Sequence, residues 1–218
     1  MMRVVIVGGH GKVALRAARL LCADGHEVTA LIRNPAHAAE VRETGATPVI
    51  FDVEAAKESA FADVFVGHDA IVWSAGAGGG NPARTYAVDR DAAKRSMDAA
   101  SAAGVRRYVM VSYFGAALDH GVPEGDSFFA YAEAKAAADE YLRSTALDWT
   151  ILGPSRLTDE PATGIAVSEP GAPSPGLAKG MVSRDAVAQV IVAALGDRST
   201  IGRQLEFNDG DGVVGSAW

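Results

Sequence analysis

The amino-acid sequence predicts an α/β fold in which helices cover both faces of a doubly wound parallel sheet. Apolar runs of strand length alternate with helical patterns along most of the chain, which is typical of repeated βαβ units. The first run, residues 4–7, leads directly into the glycine-rich turn Gly8-x-x-Gly11-x-x-Ala14 and then into a helical pattern. The chain has 218 residues, of which 49% are hydrophobic and 22% charged, which suits one compact core. We therefore expect residues 1–218 to form a single domain.

The first part of the predicted sheet follows from the pattern up to residue 51. Residues 4–7 are apolar without alternation, as expected of a strand buried on both faces. Apolar residues recur at helical spacing after the turn, and Asp24-Gly25 ends that helix. Asn34-Pro35 is typical of an N-cap followed by proline in a first helical turn. The predicted elements are strands at 4–7, 27–32 and 47–51, and helices at 12–23 and from about 34 to 43.

The remaining elements continue the same alternation. The predicted strands are at 69–74, 107–112, 148–152 and 205–207, and the predicted helices are at 83–103, 128–144 and 184–195. Ser183 is the expected N-cap of the last helix. The exception is the segment 153–182, which is too long for an ordinary connection and contains five of the nine prolines: Pro154, Pro161, Pro170, Pro173 and Pro175. We expect 153–182 to be a proline- and glycine-rich substrate loop or lid, giving the domain a small C-terminal substrate lobe.

Composition narrows the possible partners. The net charge of -7, without a cluster of lysine or arginine, argues against a nucleic-acid partner. The single cysteine, Cys22, lies in an apolar helix and predicts a small buried side chain rather than a nucleophile. The five histidines show no metal-ligand spacing, so no metal is expected. No apolar run has the length of a membrane span and no signal-peptide core precedes the first strand, so we expect a cytoplasmic protein without a membrane partner.

The glycine-rich turn predicts a dinucleotide site. Such a turn allows the backbone to approach a phosphate closely, and the following helix offers free N–H groups and the positive end of its dipole. In an open α/β sheet the ligand lies beyond the carboxyl ends of the strands, where the strand order reverses. The residues expected there are Gly8, Gly9, His10, Gly11, Lys12, Val13, Arg33, Asp52, Val53, Ser74, Ala75 and Gly76.

Arg33 indicates which dinucleotide is bound. A carboxylate at the end of the second strand suits the ribose hydroxyls of NAD, whereas an arginine suits a 2′-phosphate. The second strand ends in Leu31-Ile32-Arg33 with no acid nearby, which favours NADP(H) over NAD(H). The alternative is that Arg33 is an ordinary solvated residue before a helix.

Tyr131 and Lys135 form a second candidate group of functional residues. Residues four apart on a helix share one face, and a nearby ammonium lowers the pKa of a tyrosine so that it exchanges a proton near neutral pH. Ser112 ends the fifth strand at the same sheet edge and could donate a hydrogen bond to a substrate oxygen. We expect Ser112, Tyr131 and Lys135 to be catalytic. The alternative is that the Tyr/Lys pair belongs to a half-exposed helix face.

These residues resemble the atypical short-chain dehydrogenases/reductases, in the compact NAD(P)-binding group that includes NmrA-like proteins and relatives of the NAD-dependent epimerases. The resemblance covers nearly the whole chain. The matching segments are 7–14, 31–35, 51–53, 73–76, 106–112, 131–135, 147–152, 157–161 and 183–188. It implies a Rossmann fold. It also implies that Gly8, Gly11 and Lys12 line the pyrophosphate, Arg33 meets the 2′-phosphate, Asp52 and Val53 contact the adenine, and Ala75 and Gly76 lie along the adenosine. Ser112, Tyr131 and Lys135 match the catalytic serine, tyrosine and lysine of the family, with Lys135 also on the nicotinamide ribose.

Three positions depart from the family pattern. Ala14 replaces the third glycine, Asp89 stands where many relatives have a relay asparagine, and Gly153-Pro154 replaces a common Arg-Pro. We expect an NADPH-dependent oxidoreductase that transfers hydride to a small carbonyl, quinone or flavin-type acceptor. A nucleotide-sugar epimerase or dehydratase, or an NADP(H)-sensing regulator without catalysis, is the alternative. The expected partner is a small-molecule substrate, and the protein is expected to be a monomer or homodimer.

Overall fold

A computed structural model describes residues 1–78, 80–169, 177–216 and 218. The strands are β1 (Arg3–Val7), β2 (Glu27–Ile32), β3 (Thr47–Ile50), β4 (Ala70–Trp73), β5 (Arg107–Val111), β6 (Asp148–Pro154), β7 (Arg156–Thr158), β8 (Gly164–Ser168), β9 (Met181–Ser183) and β10 (Arg203–Gly210). The helices are α1 (Lys12–Ala23), α2 (Ala38–Glu43), α3 (Glu58–Phe65), α4 (Pro82–Thr85), α5 (Ala93–Ala102), α6 (Phe129–Ser144) and α7 (Arg184–Gly196). A π-helical segment, Tyr86–Ala92, joins α4 to α5, and short 3₁₀ turns cover Pro35–His37 and Arg198–Thr200.

Eight strands form one sheet in the order β3-β2-β1-β4-β5-β6-β10-β8. The first seven are parallel, and β8 is antiparallel to β10 at the edge. The order reverses between β1 and β4, which creates the crevice at which ligands bind in doubly wound sheets. The structure thus confirms the predicted α/β Rossmann fold.

Helices bury both faces of the sheet. Val4 and Ile6 of β1 face a core formed with α1 and α7, and Val5 and Val7 face a second core formed with α3, α5 and α6. All four side chains are fully buried, which explains why this strand does not alternate in hydrophobicity.

The structure differs from the sequence prediction in the helices after β3. A helix, α3, lies between β3 and β4 where none was predicted, and it buries Phe61 and Phe65 one turn apart. The predicted helix 83–103 is continuous in outline but contains the π segment Tyr86–Ala92. A π segment is not visible in an alanine-rich pattern, because it changes the local winding without changing the composition.

The expected loop at 153–182 contains regular structure. β8 lies within it and extends the main sheet, and β7 pairs with β9 in a separate two-stranded parallel sheet. The sequence pattern does not predict these strands, because each is short and the surrounding prolines and glycines are typical of loops. Pro170, Pro173 and Pro175 lie outside the described residues.

Three properties of the described residues bear on possible partners. Within residues 1–78, 80–169, 177–216 and 218, no helix is both long and apolar enough to cross a membrane. Those same ranges contain no cluster of His, Cys, Asp and Glu suited to a metal ion. Cys22 is partly buried, and burial raises the pKa of its thiol.

Gly8→Ala is expected to lower the free energy of unfolding by about 2–4 kcal/mol. Gly8 has φ +83°, and a Cβ there would lie 2.6 Å from the Cα and 2.7 Å from the N of Ala75, which are backbone atoms that cannot rotate away. Urea unfolding measures the effect. The matched control is Gly196→Ala at the end of α7, where an added Cβ meets nothing within 4 Å and stability is expected to hold or rise. Equal stability of the two variants would contradict the packing argument.

Candidate functional site

Two adjoining cavities lie along the carboxyl edge of the parallel sheet. The first has a volume of about 290 Å³ and the second about 400 Å³. Gly11, Ser74, Ala75 and Gly76 line both, so the cavities form one cleft across the crevice between β1 and β4. Of the residues that the sequence predicted for the site, the first cavity contains Gly8, His10, Gly11, Arg33, Asp52, Val53, Ser74, Ala75 and Gly76, and the second adds Lys12, Val13, Ser112, Tyr131 and Lys135.

The glycine-rich turn has the shape of a phosphate cradle. Gly8 packs against the backbone of Ala75, and a Cβ on Gly9 would lie 2.6 Å from the Cβ of Ala30. The absence of a side chain on Gly9 therefore lets the turn approach β2 closely. Gly9 lines neither cavity. Gly11 is the N-cap of α1 without a side-chain cap, and the first turn of α1 contains no acid. The free N–H groups of this helix end face the cleft and suit an anionic group.

Arginine and histidine side chains line the first cavity together with two carboxylates, Asp52 and Glu54. Arg33 is exposed at the end of β2 and forms no ion pair with another described residue. His10 and His37 stack with ring centroids 3.5 Å apart, and His10 Nε2 lies 2.7 Å from Glu40 Oε2. The first cavity also contains Asn34, His37 and Arg84, which the sequence analysis did not identify.

Arg84 connects two loops of the first cavity. Its guanidinium donates to the carbonyl of Ala77 at 2.8 Å and to the carboxylate of Glu54 at 2.9 Å. It therefore holds the loop after β4 against the loop after β3. No local motif marks this arginine, because both of its partners are distant in the sequence.

The second cavity brings the three predicted catalytic residues together. Ser112 follows β5, and Tyr131 and Lys135 lie on α6, so all three meet where β5 ends. Lys135 is 1% exposed, and its ammonium donates to the carbonyl of Val111 at 2.7 Å. A buried lysine needs such partners to remain charged.

The environment of Tyr131 overturns one expectation from the sequence. Burial and the carboxylates of Asp89 and Asp139 raise the pKa of the Tyr131 phenol, instead of Lys135 lowering it. The reason is geometric, since the Lys135 ammonium is directed to Val111. Tyr131 instead packs against Tyr113, with ring centroids 5.6 Å apart.

Ser112 has a partner that the sequence analysis missed. Its hydroxyl donates a hydrogen bond to Oδ2 of Asp139 on α6, and Asp139 is fully buried. Burial raises the pKa of this carboxyl to about 6, while Lys135 acts in the opposite direction. The spacing of Lys135 and Asp139, four residues apart on one helix, was the available signal.

Asp89 lies in the π segment and lines the second cavity. Its carboxylate accepts a hydrogen bond from the N–H of Ala77 at 2.9 Å. Burial raises its pKa, against the opposing effect of Lys135. Asp89 thus fixes the loop after β4. The buried ammonium of Lys135 opposes the rise in pKa of two buried carboxylates, Asp89 and Asp139.

The segment after β6 is attached to the glycine-rich turn through Asp159. This exposed carboxylate lies 3.0 Å from Lys12 Nζ, 3.0 Å from Arg184 Nη1 and 3.5 Å from Arg16 Nη2. The Lys12 ammonium lowers the pKa of Asp159. At the end of β6, a Cβ on Gly153 would lie 3.2 Å from Glu206 Cγ, so the glycine at this position allows close packing against β10.

The doubly wound sheet, the uncapped start of α1 and the cleft beside it define a dinucleotide-binding α/β domain. The chain belongs to the NAD(P)H-binding family, whose model matches residues 8–198.

Similar proteins carry both epimerase and oxidoreductase names. A Bacillus subtilis (strain 168) protein named "uncharacterized sugar epimerase YhfK" is 31% identical over 218 residues, covering 99% of this chain and 98% of the relative. A Bacillus halodurans structure, whose name assigns it provisionally to the NAD-dependent epimerases/dehydratases, is 32% identical with a TM-score of 0.88, covering 99% of this chain and 97% of the other. The oxidoreductase ylbE from Lactococcus lactis is 28% identical with a TM-score of 0.86, covering 99% and 94%. These comparisons establish an NAD(P)H-binding protein whose relatives carry oxidoreductase and epimerase names.

Asp139→Asn is expected to raise the free energy of unfolding at pH 8 by about 1–3 kcal/mol. The folded-state pKa of Asp139 lies near 6, above the 3.8 of a free carboxyl, so the folded state holds this proton more tightly than the unfolded state does. The wild-type protein therefore loses stability as the pH rises from about 4 to 6. The neutral amide avoids that loss and still forms a hydrogen bond with Ser112, because its N–H group can donate to Ser112 Oγ.

Urea unfolding at several pH values measures this difference, which should shrink toward pH 4. Asp63→Asn, an exposed change on α3, is the control and should leave the pH dependence unaltered. A constant difference between Asp139→Asn and wild type across the pH range would show that burial of the ionised carboxylate is not its cause.

Proposed function

We propose that the protein is an NADPH-dependent oxidoreductase that transfers hydride to a small carbonyl, quinone or flavin-type acceptor. The observation that carries this proposal is the convergence of Ser112, Tyr131 and Lys135 in one cavity that continues into the phosphate cradle. Protonation of a carbonyl oxygen during hydride transfer requires a proton donor, a hydrogen-bond donor and a charged group around that oxygen.

The residues of the cleft fit an NADP(H) molecule. The cradle at Gly8 leaves no room for a Cβ, and the free end of α1 suits a pyrophosphate. We assign the adenine to Asp52 and Val53 and the 2′-phosphate to Arg33, because Arg33 is a cation without an ion-pair partner among the described residues. Lys135 would hold the nicotinamide ribose. The cofactor, when bound, supplies the hydride.

Tyr131 is suited to act as the acid. Its raised pKa keeps the phenol protonated at physiological pH, so it always carries a proton to donate. As the carbonyl carbon gains the hydride, the C=O π bond breaks and the oxygen takes the phenolic proton. Solvent then reprotonates the resulting phenolate. Ser112 would orient the same oxygen.

An aromatic cluster beside the second cavity favours a flat acceptor. Tyr113 lines the cavity, and behind it Phe128 meets Tyr113 edge to face with ring centroids 5.3 Å apart, while the Lys179 ammonium lies 5.7 Å from each ring centroid. Aromatic rings with a neighbouring cation suit a planar, electron-poor molecule such as a quinone or flavin. The segment 153–182 contributes Pro154, Ser155 and Leu157 to this cavity, which supports its role as the substrate lobe.

An epimerase is the second candidate, because the Bacillus subtilis relative carries a sugar-epimerase name over the full chain length. Sugar epimerases of this class retain NAD tightly. The absorbance of the protein as isolated discriminates, since bound nucleotide after extensive dialysis would favour the epimerase.

Tyr131→Phe is expected to lower NADPH turnover by about 100-fold or more while NADPH affinity stays unchanged. The variant removes only the phenolic hydroxyl group and keeps the ring contacts with Tyr113. NADPH consumption is followed by absorbance against quinones, flavins, aldehydes and ketones. The control is Tyr141→Phe on the same helix, whose hydroxyl bonds Asp98 at 2.7 Å away from the cavity. Full turnover in Tyr131→Phe would refute the assignment of Tyr131 as the acid.

Arg33→Ala is expected to weaken NADPH binding by about 10- to 100-fold and NADH binding by less than about threefold. The reason is the loss of one charge-assisted contact that only the 2′-phosphate makes. Titration calorimetry with both nucleotides measures it. Arg42→Ala, an exposed change on α2 outside both cavities, is the control. An equal loss for both nucleotides would mean that Arg33 does not select NADPH.

A further inference from the structure

We propose that Asp139 is a positioning residue whose protonation decides whether the Ser112 hydroxyl accepts or donates a hydrogen bond in the reaction cavity. The switch rests on the geometry of this buried pair. Its effect on turnover rests in addition on the proposed reductase function.

The hydroxyl of Ser112 has a single proton to donate. In the structure that proton is donated to Oδ2 of Asp139. Ser112 lines the second cavity and Asp139 does not. With Asp139 ionised, Ser112 therefore presents only its lone pairs to a ligand.

Protonation of Asp139 reverses this arrangement. A neutral carboxyl has an O–H of its own, which can donate to Ser112 Oγ. The Ser112 proton is then released to point into the cavity. A substrate carbonyl oxygen, which is only an acceptor, requires this second arrangement.

The surroundings of Asp139 allow both protonation states. The side chain is fully buried, and Oδ1 has no hydrogen-bond partner among the described residues. The Lys135 ammonium is shared with the buried carboxylate of Asp89. Arg143 acts on Asp139 from the next turn of α6 but donates to Oε1 of Gln204.

The other groups around the pair do not compensate the charge. Tyr113 and Tyr131 both have pKa values raised by Asp139 in addition to burial, and the buried Tyr113 hydroxyl has no hydrogen-bond partner within the described part of the chain. The charged groups on the elements packed against α6 have partners of their own: Arg84 with Glu54, Arg90 with Asp91, Arg95 with carbonyls of the loop after β3, Asp98 with Tyr141, Asp148 with Arg106, and Lys94 with the ring of Tyr141. The pKa of Asp139, near 6, then places the switch just below neutral pH.

The protonation state of Asp139 therefore makes the preferred direction of the reaction, reduction or oxidation, depend on pH. Reduction of a carbonyl needs Ser112 as a donor, so its rate should fall about tenfold per pH unit above the Asp139 pKa. Oxidation of an alcohol, whose hydroxyl needs an acceptor, should show the opposite slope over the same range.

The first experiment uses infrared difference spectroscopy on the nucleotide-free protein and needs no turnover. The C=O stretching band of a buried protonated carboxyl should disappear as the pH is raised from about 5 to 8. Asp139→Asn should lack this band, whereas Asp89→Asn should retain it. Ser112→Ala removes a hydrogen bond that lowers the Asp139 pKa, so the midpoint should move to higher pH. A band that is absent in wild type, or unchanged in Asp139→Asn, would overturn the switch.

The second experiment compares pH–rate profiles for NADPH oxidation at saturating acceptor. Wild type should lose activity above the midpoint found by infrared, and Asp139→Asn should keep a flat profile with higher activity at pH 8. In a Ser112→Ala background the Asp139→Asn change should alter the profile far less, because only the charge effect of Asp139 on Tyr131 is then left. A wild-type slope that persists in Asp139→Asn would overturn the proposal. Absence of turnover in every wild-type assay would refute the reductase function alone, and the infrared titration would still decide the switch.

Discussion

The close approach of two glycines to neighbouring backbone is the constraint on which the cleft depends. Gly8 lies against Ala75, and Gly9 lies against Ala30, at distances where any side chain would collide. These contacts draw the end of β1 between the ends of β2 and β4 and aim the uncapped start of α1 at the space between them. Both cavities meet at this point, so the phosphate cradle and the candidate reaction site are consequences of one packing arrangement.

Around the second cavity, buried carboxylates outnumber buried ammonium groups. Two buried carboxylates, Asp89 and Asp139, face one buried ammonium, Lys135. Charges in an apolar interior are costly unless paired, so burial raises the pKa values of both carboxyls and of the Tyr131 phenol. The simple picture of a lysine that activates a tyrosine does not describe this resting structure.

Sequence reasoning succeeded where a periodic pattern coincides with burial. The bounds of α1 and β2 were predicted to the residue, because their apolar spacing and end signals agree. Sequence reasoning missed α3, which lacks a side-chain N-cap. It also missed β8, because β8 pairs with β10, a strand that is distant in the sequence. At the site, most of the predicted residues that line the two cavities followed from motifs. Asp139 and Arg84 did not, because their roles depend on partners brought together only by the fold.

The attachment of the segment after β6 through Asp159 differs in kind from the rest of the fold. The core is held by buried apolar contacts, whereas Asp159 and Lys12 are half exposed or more, so dissolved ions weaken their attraction. The same lysine stands at the start of α1, where an anionic ligand would compete with Asp159 for it. Ionic strength and ligand charge thus both weaken the ion pair between Lys12 and Asp159. Neither affects the packing of the apolar core.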